Sequence, residues 1–152
     1  MKLKRRVAIT WLSVVCSAAG CARRPARPIA TAIPELAADV LGTFDDDYGI
    51  RYRIDAERWQ QGERTMYLVT SWHAQAQYLI ARNAPTNPSA PDKWTRIDWM
   101  PLHGMPPYTW AYCLSAYDAP TRDVAEATRV AKRDSPKSGC NGFPFSRMKR
   151  AE

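Results

Sequence analysis

The densest chemistry in the chain lies in the run WTRIDW, which holds Trp94, Arg96, Asp98 and Trp99, with Trp110 a short way on. An arginine and an aspartate two apart on a strand project from one face. They can form a local ion pair or, at the mouth of a pocket, hold a polar ligand group through the planar guanidinium fork. Aromatic rings stack on apolar ligands and on sugars, and the same rings can simply fill a small core, burying ~150–250 Å² each. Trp94 and Trp99 are five apart, so a regular strand turns them to opposite faces. These five residues form the candidate ligand-binding set. A nucleophilic set exists on paper in Ser71, His73 and Asp98, without a G-x-S-x-G elbow to present the serine. His73 and His103 are the only histidines, and no H-E-x-x-H motif accompanies them. No metal site, no cofactor and no enzymatic activity are therefore expected. Asp45-Asp46-Asp47 lacks the spaced oxygen ligands and closing glutamate of a calcium loop and reads as a solvated turn.

Of the four cysteines, two lie near the start. Lys2, Lys4, Arg5 and Arg6 precede a mostly apolar stretch, Val7 to Val15, and Ala18-Ala19-Gly20-Cys21 closes the segment. The arrangement resembles a bacterial lipoprotein signal peptide, with Ala18 where such signals usually carry leucine. The resemblance implies that residues 1–20 are removed, that the Cys21 thiol takes diacylglycerol and that the new amino terminus is acylated. Ala18 and Gly20 also satisfy ordinary secretory cleavage, which would release a soluble protein beginning at Cys21. An uncleaved anchor is the third reading, although the apolar run is far below the ~20 residues a spanning helix needs. Both cleaved forms leave the cytoplasm. Cys16 then departs with the leader, Cys21 is the lipid acceptor, and Cys113 and Cys140 remain as one pair in an oxidising compartment, where a disulfide is the default. Cys113 as a nucleophile would need a cationic or histidine neighbour, and none adjoins it in sequence.

The net charge of +7 has a local origin. The four basic residues of the leader and Arg23, Arg24 and Arg27 account for it; without these seven, basic and acidic groups balance at 15 each. The basic excess belongs to export and tether, so it offers no footprint for nucleic acid. Arg23, Arg24 and Arg27 are placed to touch anionic headgroups or to remain a solvated linker. Ala22 after the lipidated cysteine is not the aspartate associated with inner-membrane retention in enteric bacteria. Outer-membrane delivery, facing the periplasm, follows for a Gram-negative host.

Residues 21–34 combine Pro25, Pro28 and Pro34 with arginine, alanine and threonine and read as an extended tether. Residues 35–152 then form a single domain. Residues 34–41 can make a short helix that starts at Pro34 and stops at Gly42. Beyond it the signal is two-residue alternation: Ile50, Tyr52 and Ile54 face one way, Arg51, Arg53 and Asp55 the other. The same pattern covers 65–72, 75–82, 94–100 and 109–117, with a hairpin connection at 72–75, and a sixth strand fits 42–46. Asp118 is the expected cap of a helix from about Pro120 to Asp134, turning Val124, Ala127, Thr128 and Ala131 toward a sheet. Phe143, Phe145 and Met148 offer apolar side chains from the tail. The expected fold is mainly β: an antiparallel meander of five to six strands, as a sandwich or small barrel, with one C-terminal helix and a disulfide-tethered tail.

The ordered set WTRIDW, YTWAYC, SAYDAPT, an alanine-rich helix and GCNGFPFSRM resembles a family of uncharacterised bacterial exported proteins and lipoproteins. The resemblance covers about residues 42–148 and implies the pairing of Cys113 with Cys140; it carries no reaction or ligand. More loosely, Leu41-Gly42-Thr43-Phe44 is similar to the G-x-W opening of lipocalins, with Phe44 in place of tryptophan. The expectation is a lipid-anchored envelope protein with a binding or structural role toward an unidentified partner or small ligand. The other readings are a carrier of an apolar ligand or glycan in an aromatic pocket and, third, an envelope hydrolase. Replacing the lipid acceptor tests the address: Cys21→Ser should shift the protein from the membrane to the soluble fraction and abolish the lipid mass increment. Unchanged fractionation would contradict the anchor.

Overall fold

The computed structural model describes residues 39–152; the expected leader, Cys21, the expected tether and most of the expected 34–41 helix lie outside them. Eight antiparallel strands run in sequence order and close into a barrel: β1 (Gly42–Asp46), β2 (Arg51–Ile54), β3 (Arg58–Gln61), β4 (Thr65–His73), β5 (Tyr78–Asn83), β6 (Trp94–Pro101), β7 (Trp110–Ala119) and β8 (Ser146–Arg150). Closure comes from β8, which pairs β7 on one side, Trp110 opposite Met148, and β1 on the other, Phe44 opposite Arg150.

The expected count of five to six strands is corrected to eight. β3, RWQQ, offers a single apolar residue, Trp59, and its strand state comes from pairing with both β2 and β4. β8, SRMKR, is equally polar apart from Met148, and its two partners are remote in sequence. The connection expected at 72–75 is shifted: Trp72 and His73 remain in β4, and the turn is closed by Gln77 N–H on the Ala74 carbonyl at 3.1 Å.

The interior is a packed aromatic cluster in which Phe44, Tyr52, Trp59, Trp99, Trp110 and Tyr112 are all buried. Edge-on contacts dominate: Phe44–Trp110 centroids lie 5.0 Å apart and Trp59–Tyr112 5.3 Å, the arrangement in which a ring's positive edge meets another's negative face. Val40, in a short turn before β1, is buried against this cluster. Beside it the Arg150 guanidinium lies 4.5 Å from the Phe44 ring centroid and donates to the Leu41 carbonyl at 2.9 Å. Gly42 makes room for that arginine. Its φ is +125°, and a Cβ there would come within 2.2 Å of Arg150 Nη1.

Helix α1 (Arg122–Ala127) lies on the outer wall. It is shorter than expected, is capped by the Thr121 hydroxyl rather than Asp118, and ends where Thr128 turns extended. Its buried residue is Ala125, while Val124 stays about half exposed. Ala125 packs with Tyr78, Ile80 and Ala119. Sheet residues here are consequently covered on both faces, which is why Tyr78 to Ala81 form an unbroken buried run instead of alternating as β2 does.

Beneath this layer sits Asp98, whose side chain is 3% exposed. It accepts from Arg96 Nε at 2.7 Å and Nη2 at 2.9 Å, from Ser115 Oγ at 2.6 Å and from Arg133 Nη2 at 3.0 Å. Arg96 reaches on to the Glu126 carbonyl of α1 at 2.8 Å, and Arg133 to the carbonyls of Trp99 and Gln77, both at 2.8 Å. The segment after α1 is fastened a second time by the Cys113–Cys140 disulfide. Closing a loop of 27 residues stabilises the fold by roughly 3–4 kcal/mol in the chain-entropy model. Gly139, next to that cysteine, has no room for a side chain, since a Cβ would meet the Lys132 carbonyl oxygen at 2.0 Å. Of the tail's apolar residues, Phe145 and Met148 are buried, whereas Phe143 is exposed. Asp98→Ala should destabilise the domain by about 3–5 kcal/mol in urea unfolding, because it strips the buried Arg96 of its counter-charge. A loss under about 1 kcal/mol would show that the ion pair is not the fastening described.

Candidate functional site

The two ends of the barrel differ. At the end where β1 starts and β8 finishes, Val40 and Arg150 close the interior, leaving a cleft of about 430 Å³ lined by Trp99, Trp110, Val40, Gln77, Thr109 and Arg150 among others. At the opposite end, the β1–β2 and β3–β4 turns and the β5–β6 loop surround a larger cleft of about 580 Å³. This mouth is the candidate site. Tyr67, Leu114 and Tyr117 give it an aromatic and aliphatic side together with Ile50, and Gln61, Arg64, Ser89 and Asn83 supply polar groups.

Local sequence explains how the mouth is held open. The proline-containing loop after β5 is pinned by Asn87, whose side chain bonds both the N–H and the carbonyl of Met66 at 2.8 Å, as a neighbouring strand would. Asn83 donates to the carbonyls of Ala90 and Tyr117 at 2.8 and 2.7 Å and accepts from Thr95 Oγ1. One buried amide thus joins β5, its loop, β6 and β7. On the first turn, Asp46 accepts from the N–H groups of Tyr48 and Ile50 at 2.9 and 2.8 Å and from the Tyr52 hydroxyl at 2.9 Å.

The sequence-derived candidates do not converge on this mouth. Trp94, Arg96 and Asp98 lie on the outer wall, where Trp94 packs against the α1 cluster and the ion pair is buried. Trp99 and Trp110 lie inside, and they meet at the smaller cleft. The indole N–H groups of Trp59 and Trp110 are buried without a partner among the described residues. Trp94 and Trp99 do face opposite sides, as their spacing requires. The aspartate run is not a solvated turn: Asp45 pairs with Arg51 at 2.9 Å, Asp47 with Arg147 at 2.9 Å, and Asp46 is buried. The Arg51 hydrogen bond holds the Asp45 carboxyl below its ordinary range.

The Ser71, His73 and Asp98 set is not assembled, because Asp98 is committed to Arg96, Ser115 and Arg133. His73 meets Glu126 instead. Its Nε2 lies 3.2 Å from Ser71 Oγ and 3.7 Å from Glu126 Oε1. A relay needs the serine on one ring nitrogen and the carboxylate on the other; here both approach the same nitrogen. The imidazole also stacks on Tyr78 at 4.2 Å, and the Arg96 guanidinium occupies the other face of that ring at 3.6 Å. The group latches the β4 end to the helix. His103 is exposed in the β6–β7 loop. The mouth residues Ile50, Tyr67, Asn83, Leu114 and Tyr117 have no shared motif in the sequence, because they come from the β1–β2 turn, β4, β5 and β7 and only closure gathers them.

Compared with known proteins, the chain matches no family model, no curated protein and no solved structure.

Three phenols below the mouth bear on pH. Burial pushes the Tyr67 hydroxyl up to about 12. Burial also raises Tyr52, with the neighbouring Tyr112 and Asp46 adding to it, and raises Tyr112. An unfolded tyrosine loses its proton near pH 10, so above that the native state binds more protons than the unfolded chain. Stability is therefore unaffected by these groups below about pH 10 and falls as pH rises through the folded values. The thermal midpoint should decline steadily from about pH 10 upward, and less steeply in Tyr67→Phe; a flat midpoint to about pH 12 would contradict the burial of all three.

Proposed function

We propose that this chain is exported, anchored at Cys21 by lipid, and serves the cell envelope as a non-enzymatic binding domain whose contact site is the open mouth. The observation that carries the reading is the cleft of about 580 Å³ set above an interior already filled with rings. Eight-stranded barrels are just wide enough either to be filled by side chains or to hold one small ligand. Here Phe44, Tyr52 and Trp59 occupy that volume, so a ligand is met at the rim. The disulfide suits an oxidising compartment, and the leader, tether and ordered motifs fit membership of the exported bacterial family that the sequence resembles. Its partners on this reading are the membrane, through the N-terminal lipid, and an envelope component or small ligand; nucleic acid is not among them.

The carrier reading needs an enclosed apolar cavity, which the packed interior argues against. A hydrolase would have to work from Ser71 and His73, whose geometry lacks a relay. Two measurements test the proposal on the mature chain. Anilinonaphthalene sulfonate should gain little fluorescence on mixing with the folded protein, and a saturable, many-fold gain would favour an enclosed pocket. An environment-sensitive label on Ser89→Cys at the mouth should respond to solubilised peptidoglycan fragments or periplasmic peptides, while one on Gln75→Cys at the other end should not. Silence at Ser89, or equal responses, would overturn the mouth as the site.

A further inference from the structure

The barrel wall is not fully zipped. β7 runs to Ala119, but β8 pairs only with Trp110, Ala111 and Tyr112. Beyond them, the backbone of Leu114–Asp118 finds backbone partners only on β6 among the described residues. The chain preceding β8 is diverted over the outer wall, where Phe145 N–H donates to the Pro136 carbonyl at 2.9 Å, Cys140 and Phe143 bridge each other, and the disulfide holds Cys140 to Cys113. Pro144 has no N–H with which to continue a ladder. The place that a longer β8 would occupy beside β7 is therefore filled by no strand among the described residues.

Both faces of this edge are hollowed. The mouth cleft reaches Leu114 and Tyr117 from the inner side. A second cleft of about 510 Å³ runs along Leu114–Ala119 on the outer side, bounded by Val124, Thr128 and Asn141. Tyr117 and Ile50 stand exposed at the inner rim. An unpaired edge is a template for another strand, and proteins usually guard it with lysine, proline or an inward charge. Leu114-Ser115-Ala116-Tyr117 has none of these before Asp118. The Tyr117 carbonyl is already taken by Asn83 and Thr95, which leaves Leu114–Ala116 as the centre of the edge.

We infer that the occupant of the mouth is an extended peptide that adds a strand to β7 along Leu114–Asp118. Its backbone continues the ladder where β8 stops. Alternate side chains enter the two clefts, an apolar or aromatic one against Ile50, Tyr67, Leu114 and Tyr117 and a small one on the outer side beside Ala116 and Val124. Main-chain bonds supply affinity and the clefts supply selectivity, the division seen in strand addition generally. This rests on reading the mouth as the binding site and names its ligand class.

The test uses the mature, disulfide-bonded chain labelled with ¹⁵N and two blocked hexapeptides, one of alternating threonine and leucine and a twin with proline replacing the middle leucine. The alternating peptide should shift the amides of Leu114–Asp118 and slow their hydrogen exchange at least tenfold, and the proline twin should do neither. If both peptides shift only mouth residues such as Gly62 and Ser89, the mouth binds and strand addition is overturned. If neither peptide shifts any mouth or β7 amide, both readings fall. If the β7 amides change with protein concentration alone, the edge is taken by a second copy of the chain, which also overturns a peptide ligand.

Discussion

A carboxylate withdrawn from water organises this domain. Removing Asp98 from solvent would cost several kcal/mol without compensation, and the compensation has to come from donors arranged around it. Arg96 provides two from the same strand, Ser115 one from the neighbouring strand and Arg133 one from the segment after the helix. Because two of those elements are remote in sequence, satisfying the charge fixes where they lie. α1 is drawn down through the Arg96 bond to the Glu126 carbonyl, and the following segment through Arg133. Once they are in place, the outer faces of β5 and β6 are covered, and Tyr78 and Ile80 can be apolar on a wall that would otherwise meet solvent.

The same arrangement sets where ligands can go. With α1 covering the outer faces of β5 and β6 and Val40 and Arg150 packed at one end, the mouth is the larger of the clefts at the two barrel ends among the described residues. The interior offers no alternative, since edge-to-face contacts among Phe44, Trp59, Trp110 and Tyr112 leave the rings in mutual van der Waals contact. Diverting the tail over the wall has a second consequence: the chain spent on reaching Asp98 and Cys113 is chain not available to extend β8. The unpaired edge of β7 and the fastening of the outer layer are two results of one routing.

Much of the fold was legible from local pattern. Alternation in Arg51–Ile54 is strong because only one face of that strand is buried. Cysteine arithmetic identified the disulfide without any geometry. The misses share a cause. RWQQ and SRMKR carry one apolar residue each, so nothing local separates them from loop, and their strand state is conferred by neighbours on both sides. α1 is shorter than small-residue spacing predicts, since that spacing continues to Ala131 while the backbone leaves the helix at Thr128 and Arg133 returns to the wall. The candidate ligand set was internally coherent on paper, yet strand alternation divides it: Arg96 and Asp98 go to one side of β6 and Trp99 to the other.

What the sequence by itself determined is what adjacency controls: the balance of basic and acidic residues beyond Arg27, the pairing of Cys113 with Cys140, and which way successive side chains point along a strand. Tertiary structure alone decided the rest. Whether Asp98 is a ligand-binding carboxylate or a buried fastening depends on donors from Ser115 and Arg133, which no spacing announces. The closing of the ring by β8 and the gathering of Ile50, Tyr67, Asn83, Leu114 and Tyr117 into one mouth are likewise pairings between distant segments. Such contacts are chosen by how much surface and polarity the whole chain can satisfy at once, and that choice has no local signature.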